Sequence, residues 1–228
     1  DKNQLQLDGE GQLLDAPITF KGQLTFGAAK EPSRFKGIWA LNEKVRSYLF
    51  PSLNDLEERV KGIVPARFYI TARRNNTTEI LVDSDLKNAE VSISELGWFK
   101  PRDISGNLSA RLNIQNNKLQ NIDQIKLDSP DIECEAVLEF DESSKSLRDA
   151  KIQKLFGLGH DLKADLHVSE DGQQHVRISG SSLDFRPLLK QNNHTEVNDV
   201  QGNVAEPKVT SRNIKIDIAK VRLSEKFF

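Results

Sequence analysis

The strongest constraint on the fold is an alternation of apolar and polar residues that recurs in several segments between residues 105 and 180. In one segment, Ile132, Cys134, Ala136, Leu138 and Phe140 alternate with residues that are mostly acidic. A period of two places successive side chains on opposite faces of an extended strand. Several such strands in succession predict an antiparallel sheet with one apolar and one polar face.

Turn residues between these segments predict a meander, in which each strand pairs with the next one along the chain. Asn116-Asn117, Ser129-Pro130 and Asp171-Gly172 are among these turn signals, and they recur at intervals of about ten to thirteen residues. The predicted strands are residues 105–115, 118–128, 131–140, 147–155, 160–169 and 174–180.

The segments before residue 105 are less regular but also predict strands. Residues 5–27 are expected to form two or three short strands, with a turn at Gly9-Glu10-Gly11 and a turn or bulge at Lys21-Gly22, because glycine permits tight turns and bulges. The other strands predicted here are residues 65–74, residues 78–83 and a segment with Ala89, Val91 and Ile93 that continues the same sheet.

Between about residues 40 and 62 the apolar period becomes helical. Asn42 is a suitable N-cap for a first helix, which Pro51 is expected to end. A second short helix would follow and end at Gly62. The apolar faces of these two helices are Leu41, Val45, Tyr48 and Leu49, and then Leu53, Leu56 and Val60. We predict that this helical segment caps one end of the sheet.

The C-terminal part predicts a change of organisation. Leu183 to Leu189 is expected to form a short turn of helix and to complete a domain of residues 1–190. Residues 190–210 are polar and contain no aromatic residue, which predicts a linker or mobile loop. Alternation resumes at Ile214, so residues 211–228 are expected to begin a further β repeat.

Composition excludes several classes of function. The formal net charge of -2 argues against a nucleic-acid-binding protein, which would normally present a basic face. No run of 18 apolar residues is present, so no membrane-spanning helix is predicted. The chain begins at Asp1 and contains no methionine, and we therefore expect it to be processed or cut from a longer protein.

No catalytic, cofactor-binding or metal-binding motif is found, and the chain is predicted not to be an enzyme. The four histidines lack the spacing of metal ligands. Gly157-Leu158-Gly159 has no third glycine at position 162 and precedes a strand, unlike a dinucleotide-binding loop. No Gly-x-Ser-x-Gly motif occurs. Cys134 is alone and is interpreted as a small buried thiol.

Two segments carry a resemblance to a known family. They are Leu96-Gly97-Trp98-Phe99-Lys100-Pro101 and Leu183-Asp184-Phe185-Arg186-Pro187-Leu188-Leu189. Together with residues 62–67, 86–93 and 155–164, they resemble the large AsmA-like proteins of alphaproteobacteria, relatives of YhdP and TamB. The resemblance covers about residues 15–190. It implies a periplasmic segment of a larger protein, anchored in the inner membrane through a part absent from this chain.

The resemblance also implies a long, groove-like sheet that carries phospholipids between the inner and outer membranes. The fold class is thus predicted as mainly β, an antiparallel meander forming one curved sheet with a helical cap. Phospholipid acyl chains and envelope proteins are the expected partners, without nucleic acid or cofactors. The side chains predicted to line the groove are Leu108, Ala110, Leu112, Ile114, Ile132, Ala136, Leu138, Phe140, Leu162, Leu166, Val168 and Ile178.

The alternation itself leaves other possibilities open. A sheet of about ten strands would be near 45 Å across, and one helical segment cannot cover its apolar face. That face must curl, pack on a second sheet or bind a ligand. The second possibility gives an assembly scaffold that acts through protein contacts at its strand edges. An envelope glycan hydrolase would instead need a cleft with paired carboxylates.

The loop expected at Trp98-Phe99-Lys100, which we call the aromatic loop, also has two interpretations. Trp98 can be buried as a cap on the sheet, or the loop can lie at a mouth of the groove with Lys100 near lipid phosphate. Arg186 likewise suits either a structural role or a headgroup contact, and the structural role is favoured.

Overall fold

The alternating segments form the strands of a mainly β fold, dominated by one large, curved and unclosed sheet that is chiefly antiparallel. A computed structural model describes residues 3–27, 31–49, 56–141, 146–187, 189 and 212–224. The fold class predicted from the sequence is therefore confirmed.

The secondary structure elements follow one another as a nearly continuous series of strands. In chain order they are β1 (Gln4–Leu13), β2 (Ala16–Thr25), β3 (Ser33–Leu41), α1 (Glu43–Leu49), α2 (Leu56–Arg59), β4 (Val60–Lys61), β5 (Val64–Ala72), β6 (Thr77–Asp85), β7 (Glu90–Ile93), a 3₁₀ helix (Ser94–Leu96), β8 (Trp98–Lys100), β9 (Asn107–Gln115), β10 (Lys118–Ser129), β11 (Ile132–Phe140), β12 (Leu147–Gly157), β13 (His160–Val168), β14 (Gln174–Asp184) and β15 (Arg212–Arg222).

Twelve of these strands form the large sheet, and β4, β7 and β8 form a separate three-stranded sheet. The order of strands in the large sheet is their order along the chain. All its neighbouring pairs are antiparallel except β14 and β15, which are parallel. The meander predicted between residues 105 and 180 is confirmed, with strand ends that differ by a few residues.

The N-terminal strands are longer than predicted. Gly9 and Gly11 lie inside β1 and Gly22 lies inside β2, so the turns or bulges predicted at these glycines are wrong. The β1–β2 turn is instead at Leu14 and Asp15, which have φ angles of 54° and 60°. Strand β3 was not predicted, and it continues to Leu41, into the segment that was expected to be helical.

Phenylalanine rings explain why glycines occupy the middle of these strands. A Cβ atom on Gly22 would lie 2.3 Å from the Phe35 ring, and one on Gly37 would lie 2.6 Å from the Phe68 ring. Each ring thus lies over a glycine on the neighbouring strand, which covers backbone that no side chain would otherwise protect. These glycines give the rings space and do not break the strands.

The segment between β6 and β9 also differs from its prediction. Val91 and Ile93 do not continue the large sheet, because β7 pairs with β4 and β8. The segment from Trp98 to Lys100, which was interpreted as a loop, forms the short strand β8.

The helical segment is confirmed near its start. Asn42 caps α1, because its Oδ1 accepts a hydrogen bond from the Val45 N–H at 2.9 Å. The second helix ends at Arg59, and Val60 enters β4, so the prediction that this helix continues to Gly62 is wrong. Pro51 and Leu53 lie outside the described residues.

The C-terminal predictions have a mixed outcome. Leu183 and Asp184 belong to β14, while Arg186, Pro187 and Leu189 are helical, so the helical turn starts later than predicted. The expected linker lies outside the described residues. Ile214 does restart a strand, and this strand pairs in parallel with β14 in the same sheet.

Candidate functional site

Three rows of side chains cross the apolar face of the large sheet, roughly perpendicular to the strands. Each row contains one residue from every strand, because directly paired residues point to the same face. We name them the cap row, the middle row and the outer row. Among their members, only Ser84 carries a polar side chain, and the others are apolar residues or glycine.

The pairing register of the twelve strands defines the rows. The cap row is Gly11, Ile18, Trp39, Ala66, Ser84, Leu108, Leu127, Cys134, Leu155, Leu162, Gly180 and Ile218; the middle row is Gly9, Phe20, Gly37, Phe68, Val82, Ala110, Ile125, Ala136, Ile152, Ala164, Ile178 and Ile216; the outer row is Leu7, Gly22, Phe35, Ile70, Ile80, Leu112, Ile122, Leu138, Ala150, Leu166, Val176 and Ile214.

The central part of the cap row, from Ala66 to Leu162, is covered by elements outside the large sheet. These elements, which we call the cap, are α1, α2, the 3₁₀ helix and the three-stranded sheet. Trp98 of β8 is 2% exposed and joins the same apolar cluster as Leu127 and Leu155. The interpretation of Trp98 as a buried cap residue is therefore confirmed.

Two buried cations tie the cap together through hydrogen bonds to backbone carbonyls. The Lys100 ammonium donates hydrogen bonds to the Ala89 carbonyl at 2.8 Å and the Pro101 carbonyl at 3.0 Å. Desolvation by burial lowers the pKa of Lys100. Arg46 donates to the carbonyls of Leu41, Val60 and Gly62 at 2.7–2.9 Å. Because Lys100 is only 1% exposed, it does not lie at a mouth of the face.

The Leu183 to Leu189 element contributes an ion pair at the same end of the sheet. Asp184 is 4% exposed, and it accepts from the Arg186 Nε at 2.9 Å. Hydrogen bonding to the Arg186 guanidinium lowers the pKa of Asp184. The Asp184 N–H also lies 3.4 Å from Nδ1 of the buried His160. Arg186 therefore has the structural role that the sequence favoured.

The middle and outer rows are much more accessible than the cap row. Their side chains are half-buried, and at the β15 edge Ile214 and Ile216 are 55% and 48% exposed. Within the described part of the chain, the sheet other than the large one has only three short strands, and it belongs to the cap. The closed sandwich, in which a second sheet covers the whole apolar face, is thus not the arrangement of these residues.

The twelve side chains predicted to line the groove all lie on the apolar face, but not in equivalent surroundings. Ile132 and Leu162 are 2% and 6% exposed and belong to the core under the cap. Leu108 also packs against that core. The other nine lie further from the cap: Ala110, Ala136 and Ile178 in the middle row, Leu112, Leu138 and Leu166 in the outer row, and Ile114, Phe140 and Val168 one position beyond it.

Sequence reasoning missed the N-terminal half of the apolar face. Phe20, Phe35 and Phe68 extend the rows across β2, β3 and β5. A recognisable signal was present, because Phe20-x-Gly22 and Phe35-x-Gly37 keep the period of two when glycine is counted with the apolar residues. The interpretation of glycine as a turn residue hid this pattern.

The opposite face of the sheet is polar and contains two shallow hollows. One, of about 790 Å³, is lined by His167, His175, Arg177 and neighbouring residues of β11 to β15. Both histidines are exposed. Asp149 lies 2.6 Å from His167 Nδ1, and this hydrogen bond is the main cause of a lowered Asp149 pKa. The second, of about 530 Å³, has Lys21, Lys36 and Tyr69 in its wall.

The described residues show neither a metal-binding cluster nor a membrane-spanning helix. They contain no group of three or more His, Cys, Asp or Glu side chains that could hold a metal ion. None of the helices in the same residues is long and apolar enough to cross a membrane.

Comparison with known proteins finds no matching protein family, no matching curated protein and no matching solved structure. The resemblance to AsmA-like proteins therefore stays a prediction from the sequence.

Proposed function

We propose that this chain is a non-enzymatic segment of a lipid-conducting groove, whose apolar sheet face binds phospholipid acyl chains and lets them move across the strands. The observation that carries this proposal is the pair of uninterrupted apolar rows, middle and outer, that run from β1 to β15. Acyl chains are the ligand class that needs a long apolar surface and no specific polar contacts.

The extent of the middle and outer rows supports the proposal that an apolar ligand binds to them. Two rows across twelve strands extend over about 50 Å by 13 Å, or roughly 700 Å². The largest apolar patch on a typical monomer is about 300–600 Å² and often marks a binding site. Leaving a large apolar side chain in water costs about 1.5–3 kcal/mol relative to burial. Contact with acyl chains would recover part of this free energy along the whole face.

The chemistry of the rows supports a non-specific apolar ligand. Sites for small polar molecules combine an apolar lining with a few convergent polar groups. The middle and outer rows have no polar side chain, so they offer no means to orient such a molecule. Because the lining changes little from strand to strand, an acyl chain would meet similar surroundings along the whole face, as conduction requires.

The compartment belongs to the same proposal and rests on the resemblance to AsmA-like proteins. We place the chain in the periplasm, where phospholipids pass between inner and outer membranes, with the inner-membrane anchor in a part of the parent protein outside this chain. Cell fractionation of the parent protein tests this, and a cytosolic location would contradict it.

The lipid proposal is tested by photo-crosslinking from two adjacent positions of β11. A photoreactive residue at Leu138 lies in the outer row, and the matched control at Val137 lies on the polar face of the same strand. With radiolabelled phospholipid, we expect crosslinking from position 138 and little from position 137. Equal labelling at both positions, or protein adducts alone at 138, would contradict lipid binding by this face.

A scaffold function is the second candidate, and the exposed edge strand favours it. Ile214 and Ile216 of β15 are about half exposed at the sheet edge, where another protein could add a strand. Crosslinking from β15 to an envelope protein, without lipid adducts at position 138, would support this candidate over the conduit.

A further inference from the structure

The cap makes the two long rims of the apolar face different. Along one rim, the cap closes the space over the cap row. The opposite rim, which we call the open rim, includes the hairpin tips that follow β5, β9 and β13. A lipid on the apolar face can therefore present its polar headgroup to water only at the open rim or at the two sheet edges.

Two neighbouring tips of the open rim are bonded to each other. The Asn116 N–H donates to the Asn76 carbonyl at 2.9 Å. The Gln115 side-chain amide donates to the Asn75 carbonyl, also at 2.9 Å. These bonds hold the β5–β6 tip against the β9–β10 tip and give the centre of the open rim a defined structure.

These joined tips carry a concentration of positive charge. Arg73 and Arg74 lie in the β5–β6 tip and are both exposed. Arg73 continues the polar-face side of β5, since its N–H donates to the Thr77 carbonyl beside the Ala72–Thr78 pair, so its guanidinium reaches a phosphate at the tip itself and not one over the rows. No carboxylate of the described residues lies within ion-pair distance of either guanidinium. Lys118 begins β10 at the adjacent tip. Guanidinium groups bind phosphate through paired, charge-assisted hydrogen bonds.

The distance from these tips to the cap suits a phospholipid. Ala72, at the end of β5, and Ala66, in the cap row, are six residues apart on one strand, or about 20 Å. The acyl region of one bilayer leaflet is about 15 Å thick, half of the hydrocarbon core. A phospholipid with its phosphate at the tip would thus lay its acyl chains along β5 and end them at the cap.

We infer that Arg73 and Arg74 form a headgroup-binding site at the open rim, which takes the phosphate of a phospholipid whose acyl chains lie on the middle and outer rows. This inference rests on the proposed function, and it adds a preferred orientation for the lipid. The acyl chains point from the open rim toward the cap, and the phosphate stays in water-accessible contact with the two guanidinium groups.

The test compares an anionic lipid with its neutral counterpart. Binding of fluorescent phosphatidylglycerol and of diacylglycerol with the same acyl chains is measured for wild type and for the double variant Arg73→Ala/Arg74→Ala. We expect the double variant to bind phosphatidylglycerol about tenfold more weakly, since charge-assisted hydrogen bonds are lost. Diacylglycerol binding should be unchanged, because the apolar rows are intact.

Two further variants separate a specific site from general charge. Arg67→Ala/Arg111→Ala removes two exposed cations from the polar face and should leave phosphatidylglycerol binding at the wild-type level. Arg73→Lys/Arg74→Lys keeps the charge but not the paired geometry, and it should bind with intermediate affinity. Unfolding by urea should be the same for all variants, since the substituted residues are exposed.

The outcomes distinguish a failure of the headgroup site from a failure of the proposed lipid-conducting function. If wild type binds both lipids but the Arg73/Arg74 alanine variant keeps its phosphatidylglycerol affinity, the headgroup site is wrong and the conduit stands. The site would also be wrong if the Arg67/Arg111 variant lost as much phosphatidylglycerol affinity as the Arg73/Arg74 variant. It would be wrong, too, if inorganic phosphate displaced fluorescent phosphatidylglycerol as well as unlabelled phosphatidylglycerol does. If wild type binds neither lipid, the proposed function itself fails.

Discussion

The covered and open parts of the apolar face have similar sequences but different surroundings. Ile132 and Leu138 lie on the same strand and the same face of β11, yet Ile132 is 2% exposed and Leu138 is half-buried. The difference comes from the cap, which reaches one row and not the next two. Apolar alternation therefore identifies the face, while residues distant in sequence decide which part of it is core and which part stays accessible.

Removal of the Trp98 side chain should have the largest effect, because it empties the centre of the cap. Trp98→Ala is expected to lower the free energy of unfolding by about 3–5 kcal/mol, as for other buried aromatic residues. Phe99→Ala is the matched control, since Phe99 is 58% exposed, and it should cost at most about 0.5 kcal/mol. Urea unfolding followed by circular dichroism measures both. Similar costs for the two variants would mean that the cap does not close over the sheet.

A second pair of variants compares the covered and the open part of the apolar face on one strand. Ile132→Ala should cost about 2–5 kcal/mol, as in a packed core, and Leu138→Ala about 1–2 kcal/mol, because its side chain is already partly in water. Both values come from urea unfolding of the lipid-free protein. Equal costs would indicate that something covers the outer row in solution.

Alanine substitutions of two glycines test whether phenylalanine rings cover the N-terminal half of the middle and outer rows. On Gly37 a Cβ would lie 2.0 Å from the Thr19 carbonyl oxygen and 2.6 Å from the Phe68 ring, so Gly37→Ala should cost about 1–3 kcal/mol. A Cβ on Gly11 would meet no atom within 4 Å, and Gly11→Ala should leave stability nearly unchanged. If thermal unfolding shows the same shift for both variants, the Phe68 ring does not lie over Gly37.

Acid should weaken the cap through Glu95, with the smallest of these effects. The Arg59 guanidinium lowers the pKa of Glu95 to about 2, from an ordinary value of 4.5. The ion pair therefore stabilises the fold above pH 4.5, and its contribution is lost as the pH falls toward 2. Glu95→Gln should reduce the difference between the urea midpoints at pH 5 and pH 3. Glu10→Gln, an exposed control on β1, should retain the wild-type difference.

The sequence predicts the C-terminal strands well because their alternation pairs aliphatic with charged residues. In β11 and β13 almost every second residue is apolar, and Asn or Gly marks most of the turns. The N-terminal strands were predicted less accurately because Gly22 and Gly37 lie on the apolar face under phenylalanine rings. A glycine has no side chain that could reveal which face it lies on, so only its cross-strand partner explains it.

The apolar face of the candidate site was predictable from the sequence, but its enclosure by the cap along one rim was not. The apolar residues of β9, β11 and β13 were all placed on one side of the sheet from their period alone. The cap depends instead on contacts between distant residues, such as Lys100 with the Ala89 carbonyl and Arg46 with the Gly62 carbonyl. Local patterns contain no information on such contacts, so the closure of one rim required the structure.

The agreement between strand order and chain order has a consequence for how such a protein could change in length. Each hairpin of the large sheet touches chiefly the hairpins before and after it, so its stability is close to a sum of nearest-neighbour contributions, as in repeat proteins. Duplication or loss of a hairpin would then leave the remaining ladder intact. Each hairpin gained would lengthen the apolar rows by about 10 Å, so the span of the face is set by a count of hairpins.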